Sequence, residues 1–181
     1  MKIKTGSDIT LQKVRMKSAG EIYESIDRSR DFLSEWLPFA DHTLMVKDTE
    51  NFIRSLRKYK DVRGDLVFEI RVEGMMAGLI GLKDIDHLNR KAEIGYWIDK
   101  EFAGKGIMMR SCRALVDHAF RKLELNRLTI RCAMENIRSC NIPKQLGFTF
   151  EGIERQGEIL RGRHLDLKVY SLLRKEWLNN K

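Results

Sequence analysis

Gly104-Lys105-Gly106 lies between two segments of different periodicity. Before it, Ile94, Tyr96 and Ile98 alternate as in a strand. After it, Met108, Cys112, Leu115, Val116, Ala119, Phe120 and Leu123 recur at helical spacing, with Arg110, Arg113, Arg121 and Lys122 on the other face. The spacing predicts a strand, a glycine turn and a helix N-terminus. Such a junction points several main-chain N–H groups in one direction, with the positive end of a helix dipole behind them. It is a site for an anion, and a phosphate is the natural occupant. Two common phosphate signatures fail here. Gly106 is followed by Ile107-Met108, where a P-loop requires Lys and Ser or Thr. Gly104 and Gly106 fit the dinucleotide fingerprint, but Met109 takes the place of its third glycine. A lone G-x-G is also compatible with a plain structural turn.

Other reactive side chains are sparse. Cys112, Cys132 and Cys140 are odd in number and form no C-x-x-C pair, which reads as reduced thiols of a cytosolic protein. Cys140 as a nucleophile would need a neighbouring His, and none is near in sequence. His42, His87, His118 and His164 lie far apart, so no metal site is expected.

The elements that position the turn follow from the same patterning. The chain has 181 residues, 43% apolar and 33% charged, which fits one domain spanning 1–181. Lys and Arg number 34 against 26 Asp and Glu, a net charge of +8. That balance favours an acidic partner such as nucleotide phosphates, an acidic protein or nucleic acid. The basic residues are scattered, not gathered in a stripe with aromatics, which argues against nucleic acid. No apolar run approaches the roughly 18–20 residues that span a bilayer, so no membrane partner is expected.

A first strand is predicted over about 8–14. Ser18 is placed as the cap of a helix from Ala19, with Glu21 closing a capping box. Ile22, Ile26, Phe32, Leu33, Trp36 and Leu37 continue at helical spacing to Pro38. Asp48-Thr49 should cap the next helix, whose face is Phe52, Ile53, Leu56 and Tyr59. After Arg63-Gly64 the period becomes that of a strand. Leu66, Phe68, Ile70 and Val72, then Met76 to Leu82, then 92–98 form a meander, with a hairpin turn at Glu73-Gly74. Asn126 should end the helix that follows the glycines. Leu128, Ile130 and Cys132 then form a strand, parallel to 92–98 through a right-handed crossover. Asn136 opens a short helix ending at Gly147, in which Pro143 removes the bond to the Ser139 carbonyl. Phe148–Ile153 and His164–Leu173 are the last strands, joined by a long polar connection with Gly157 and Gly162. The fold class is α/β with a mixed, mainly antiparallel sheet.

This order of elements, with 102–108, Asn136-x-x-Ser139-x-x-Ile142 and Leu146-Gly147-Phe148, resembles the GNAT superfamily of acetyl-CoA-dependent N-acetyltransferases. The family signature [QR]-x-x-G-x-[GA] falls on Ala103 to Met108. Gly106 matches, while Ala103 and Met108 depart from it. Leu33-Ser34-Glu35-Trp36-Leu37-Pro38, N-I-R-S and L-G-F-T-F-E-G look like the ribosomal-protein N-terminal acetyltransferases, which acetylate a protein's α-amino group.

The resemblance implies direct attack of an amine on the thioester of acetyl-CoA, with no acyl-enzyme. It implies that Ala103, Gly104, Lys105, Gly106, Ile107 and Met108 hold the pyrophosphate. Lys105 is otherwise a solvated lysine. Tyr96, Trp97 and Ile98 would pair with the pantetheine arm as an added strand, which requires 92–98 and 128–133 to splay apart. Asn136 would hold a pantetheine amide and Ser139 would hydrogen-bond the sulfur; helix capping is the alternative for both. Glu158 is the first candidate for the base and Glu93 the second. Trp36, Leu37 and Phe39 either wall the acceptor site or are core aromatics. The expected partners are acetyl-CoA, the N-terminus of a protein such as an acidic ribosomal one, and by family likeness a second copy of the chain. Two other functions fit the same residues, an acetyltransferase for a polyamine or antibiotic and a catalytically inactive CoA-binding protein; a nucleic-acid module is a third reading, against which the scattered basic residues count.

Overall fold

The computed structural model describes residues 1–58 and 64–179. Tyr59 and Arg63, expected at a helix face and a change of period, lie outside the described residues. Eight strands, β1 (Lys2–Lys4), β2 (Ile9–Lys13), β3 (Leu66–Val72), β4 (Met75–Asp86), β5 (Lys91–Ile98), β6 (Arg127–Ala133), β7 (Thr149–Leu160) and β8 (Arg163–Leu173), form one sheet. Its order is β1-β2-β3-β4-β5-β6-β8-β7. Every neighbouring pair is antiparallel except β5 and β6. The helices are α1 (Ala19–Arg28), α2 (Arg30–Ser34), α3 (Phe39–His42), α4 (Val46–Lys58), α5 (Ile107–Arg121), α6 (Ile137–Gln145) and α7 (Arg174–Asn179). They cover the sheet in two apolar layers. One packs Phe68, Ile80 and Ile94 against Leu115, Val116 and Phe120 of α5. The other packs Leu79 and Trp97 against Ile22, Ile26 and Ile53 of α1 and α4. Phe120 is fully buried, and truncating it to Ala should cost about 3–5 kcal/mol.

The parallel pair has the feature that matters for function. Main-chain pairing joins Lys91–Glu93 to Arg127–Thr129 and stops there. Beyond Glu93, β5 stays paired to β4 as far as Ile98, while β6 follows β8 to Ala133. The two strands part, as the sequence led us to expect, and one edge of β5 is left open inside the sheet. Close approach tightens the other edge. A Cβ on Gly78 would fall 2.3 Å from the Trp97 carbonyl oxygen, so β4 needs glycine there.

Several expectations are corrected. Ser18 ends a short 3-10 turn in αR geometry and caps nothing through its side chain. Its hydroxyl donates to Glu69, a carboxylate buried on β3 that also pairs with Arg71 at 2.7 Å. A buried charge takes precedence over a helix end that water can reach. The long N-terminal helix breaks at Ser29, whose hydroxyl accepts the Lys100 N–H at 3.0 Å. The next helix begins at Val46, before the expected cap, and Asp48 reaches back to the amides of Leu44 and Met45 at 2.9 and 3.0 Å. Helix α5 stops at Arg121, and Glu124 takes a positive φ before β6. The long polar connection after Ile153 does not exist. β7 runs on to Leu160 through a bulge between Glu154 and Glu158, and Arg161-Gly162, both at positive φ, turn it tightly into β8. Strand β1 and helix α7 had no clear signal in the sequence.

Candidate active site

A cleft of about 1100 Å³ opens where β5 and β6 part, between the wall of α2, α3 and α4 and that of α6 and β7. Local folding explains each group that lines it. Asp99 follows β5 and is fully buried. Its carboxylate pairs with Arg28 at 2.6 Å, takes the Ser25 hydroxyl at 2.7 Å and caps the 3-10 turn Lys100–Phe102 through the Glu101 N–H at 3.0 Å. Burial pushes this carboxyl's pKa up, but the hydrogen bonds from Ser25 and Glu101 outweigh it and the net shift is downward. An ionised Asp99 thus fixes the chain leading into the glycine turn. The sequence reading did not single it out, although Asp directly after a strand and before a turn is a capping signal.

Gly104 and Gly106 both have left-handed φ, +77° and +70°, and Gly106 is the N-cap of α5. A Cβ on either would meet no atom within 4 Å, so the space in front of the turn is open. The first bond of α5 runs from the Arg110 N–H to the Gly106 carbonyl at 3.1 Å. The amides of Ile107, Met108 and Met109 precede it and have no acceptor within the helix. The first turn contains no acidic residue to compete with an anion. Ala103, Gly104, Gly106, Ile107 and Met108 line the cleft. Lys105 does not; its ammonium lies 5.6 Å from the centre of the Phe102 ring.

Trp97 and Ile98 lie on the open stretch of β5 and line the cleft from its floor. Trp97 packs against Phe39 with ring centres 6.2 Å apart, and Trp36, Leu37 and Phe39 line the cleft from the helical side. Across from them, Asn136 caps α6 by accepting the Ser139 N–H at 3.0 Å, which orients Ser139 at the cleft wall. Tyr96 completes this arrangement and was missed as a side-chain participant. Pro143 has no N–H for the Ser139 carbonyl, and the Tyr96 hydroxyl donates to that carbonyl at 3.2 Å. The same hydroxyl is 3.3 Å from Ser139 Oγ. Burial holds the Tyr96 phenol well above its ordinary pKa, so it stays protonated. Its signal was present in the sequence: a tyrosine on the inward face of a strand needs a partner for its hydroxyl.

The two candidate bases differ in their surroundings. Glu93 has both oxygens engaged, one with Lys83 at 2.9 Å and the other with Arg131 at 2.8 Å, and Arg131 extends on to Glu154 at 3.1 Å. Glu158 follows the β7 bulge, is half-buried and lines the cleft. Burial raises its pKa above the ordinary 4.5, Lys83 and Arg131 work against that, and Glu93 adds to it. Glu158 is therefore a carboxylate with a raised proton affinity, placed at the cleft wall.

A family model described as an acetyltransferase (GNAT) domain matches residues 8–149. The chain belongs to the GNAT acetyltransferase family. It is an acyltransferase of the mixed α/β GNAT fold, and acetyl-CoA is its co-substrate. The putative ribosomal N-acetyltransferase YdaF of Bacillus subtilis (strain 168) is 41% identical over 98% of both chains. The ribosomal-protein-serine acetyltransferase of Escherichia coli (strain K12) is 28% identical over 93% of this chain and 94% of its own length. A structure of RimL, the ribosomal L7/L12 α-N-protein acetyltransferase in complex with coenzyme A, superposes with a TM-score of 0.90 at 25% identity, covering 96% of this chain and 98% of that one. The site of this GNAT chain fits the co-substrate on its own terms. It has a turn with unused amides and open space for a diphosphate, an unpaired strand edge for an amide-bearing arm, and a volume large enough for both.

Proposed function

We propose that this chain, acting as one domain over residues 1–181, transfers acetyl from acetyl-CoA directly to the N-terminal α-amine of a ribosomal protein. What carries the reading is that the glycine turn, the open edge of β5, Ser139 and Glu158 all border one continuous cleft. The ribosomal acceptor is supported by relatives with that name that match nearly the full length of the chain. The net charge of +8 suits an acidic acceptor protein.

In this mechanism the amides of residues 104–108 bind the pyrophosphate, the Ala103 N–H being taken by the Lys100 carbonyl at 3.2 Å, and Lys105 adds only long-range charge. The edge of Trp97 and Ile98 orients the pantetheine arm, and the Asn136 side-chain amide, whose oxygen is taken by the cap, donates to it. Acetyl-CoA supplies an activated thioester. Glu158 accepts a proton from the incoming amine. An α-amine titrates near 7.7–8.0 and a lysine near 10.4, so a weak carboxylate base suffices for the first and is poorly matched to the second. Ser139 Oγ, on a helix turn that Tyr96 holds through the Ser139 carbonyl, donates a hydrogen bond to the departing sulfur, whose thiol pKa of about 8.5 makes it a tolerable leaving group. Glu93, with both oxygens in ion pairs, keeps the sheet together at the mouth of the cleft and is not the base.

We propose that the reaction takes place in the cytoplasm. A homodimer through the edge strand β7 is part of the reading, supported by the exposure of Phe150, Ile153 and Ile159 there. Incubation with labelled acetyl-CoA and ribosomal proteins, followed by peptide mass spectrometry, tests the activity. Label on an N-terminal residue is expected. Label confined to lysine side chains or small amines rejects the α-amine acceptor.

A further inference from the structure

Asp41 on α3 and Arg161 at the tip of the β7–β8 hairpin are 120 positions apart in the chain. Arg161 donates to both oxygens of Asp41, through Nε at 2.8 Å and a terminal nitrogen at 2.9 Å. The partners are tied to opposite sides of the cleft. Phe39 and Thr43, two residues either side of Asp41, line it from the helical wall; Glu158, three residues before Arg161, lines it from the other. Among the described residues, no other hydrogen bond or ion pair joins residues 155–163 to the helical wall. The Arg161 guanidinium holds the Asp41 carboxyl well below the usual carboxylate range, so both partners are charged at any physiological pH. Yet the side chains are 59% and 29% exposed, and ion pairs at the surface are modest in strength, bidentate ones being the stronger of them. A contact of this kind can open and close. It is a poor structural staple.

We propose that Asp41 and Arg161 form a clasp that determines acceptor specificity. Closed, it bridges the acceptor mouth, so that an amine at the end of a flexible chain passes beneath it while an amine carried on a folded surface is kept from Glu158. The proposal rests on the α-amine reading above and names the device that would enforce it.

The test compares kcat/KM for two acceptors. One is an unstructured peptide with a free α-amine and no lysine. The other is a folded protein with a blocked N-terminus and surface lysines. In Asp41→Asn and in Arg161→Gln the ratio of folded-protein to peptide turnover should rise about three- to fivefold. CoA affinity should be unchanged, and the charge-exchanged double variant Asp41→Arg/Arg161→Asp should return the ratio towards wild type. Because an exposed pair is screened by salt, going from about 0.05 to 0.5 M should raise the ratio in wild type but not in Arg161→Gln. This arm needs no exchanged pair to fold. A ratio within twofold of wild type in both single variants, with no salt effect, overturns the clasp. If wild type acetylates the peptide and the ratio does not move, the α-amine reading stands and the clasp falls. If wild type ignores the peptide but acetylates spermine, the α-amine reading falls. Spermine then replaces the peptide as the slim acceptor in the same comparison, and the clasp stands or falls on that ratio.

Discussion

Glu158, as the base we propose, would combine a function with a cost. Its folded-state pKa lies above that of an unfolded glutamate, about 4.3, so the folded protein holds this proton more tightly. Stability from this group therefore falls as pH rises through the folded pKa, and at pH 7 the ionised carboxylate destabilises the fold. Glu158→Gln should lower kcat by about 100-fold or more yet raise the melting temperature at pH 7. The acid limb of the wild-type pH profile should sit above pH 4.5 and vanish in the variant; calorimetry and a pH series of kcat check both. The Tyr96–Ser139 pair predicts a different pattern. Ser139→Ala should lower kcat about tenfold with CoA affinity intact, as measured by isothermal titration. Tyr96→Phe leaves the Ser139 carbonyl without its donor, so it should lower kcat and also cost about 1–2 kcal/mol in chemical denaturation. The sequence showed Ser139 and Pro143 separately. That the proline frees the carbonyl bound by Tyr96 depends on two segments meeting across 43 positions, which no local pattern carries.

At the scale of the element, the proposed mechanism makes the glycine turn decide whether the co-substrate is held. Both glycines have φ that a branched side chain adopts only under strain. Gly106→Val should therefore weaken CoA binding at least tenfold, lower the melting temperature modestly and leave the far-UV spectrum unchanged. The turn and α5 were readable because a period of 2 gives way to 3.6 within a few residues and glycines mark the join. The parallel crossover was readable for the same reason. The β7–β8 hairpin was not. Residues 154–163 are polar and bulged, and their strand character comes from pairing with β8, so intrinsic preference pointed to a loop. Glu158 lies on a strand, not in the polar connection where the sequence placed it. The Ser18 cap failed because a local rule was overridden by a buried acid 51 positions away.

At the scale of the molecule, the sheet is continuous by hydrogen bonding but divided by the gap between β5 and β6. Arg131 spans part of that gap with side chains, reaching Glu93 on β5 and Glu154 on β7 where main-chain pairing has ended. The molecule therefore has two layers of core on a sheet whose centre is incompletely paired. Anything that pairs with the open edge of β5 adds main-chain hydrogen bonds that the unfolded chain cannot make. CoA at 100 times its dissociation constant should stabilise the fold by about 2.7 kcal/mol, read as a thermal shift that grows with the logarithm of concentration. Gly106→Val should blunt that shift at a fixed concentration.

The open stretch of β5 has a practical consequence as well. It is a length of bare β-template in the middle of the sheet, set at the floor of the cleft. Stored empty, the protein should slowly cross-pair and cloud; stored with excess coenzyme it should stay clear, because the product of each turnover doubles as the plug that keeps the enzyme from seeding its own precipitate.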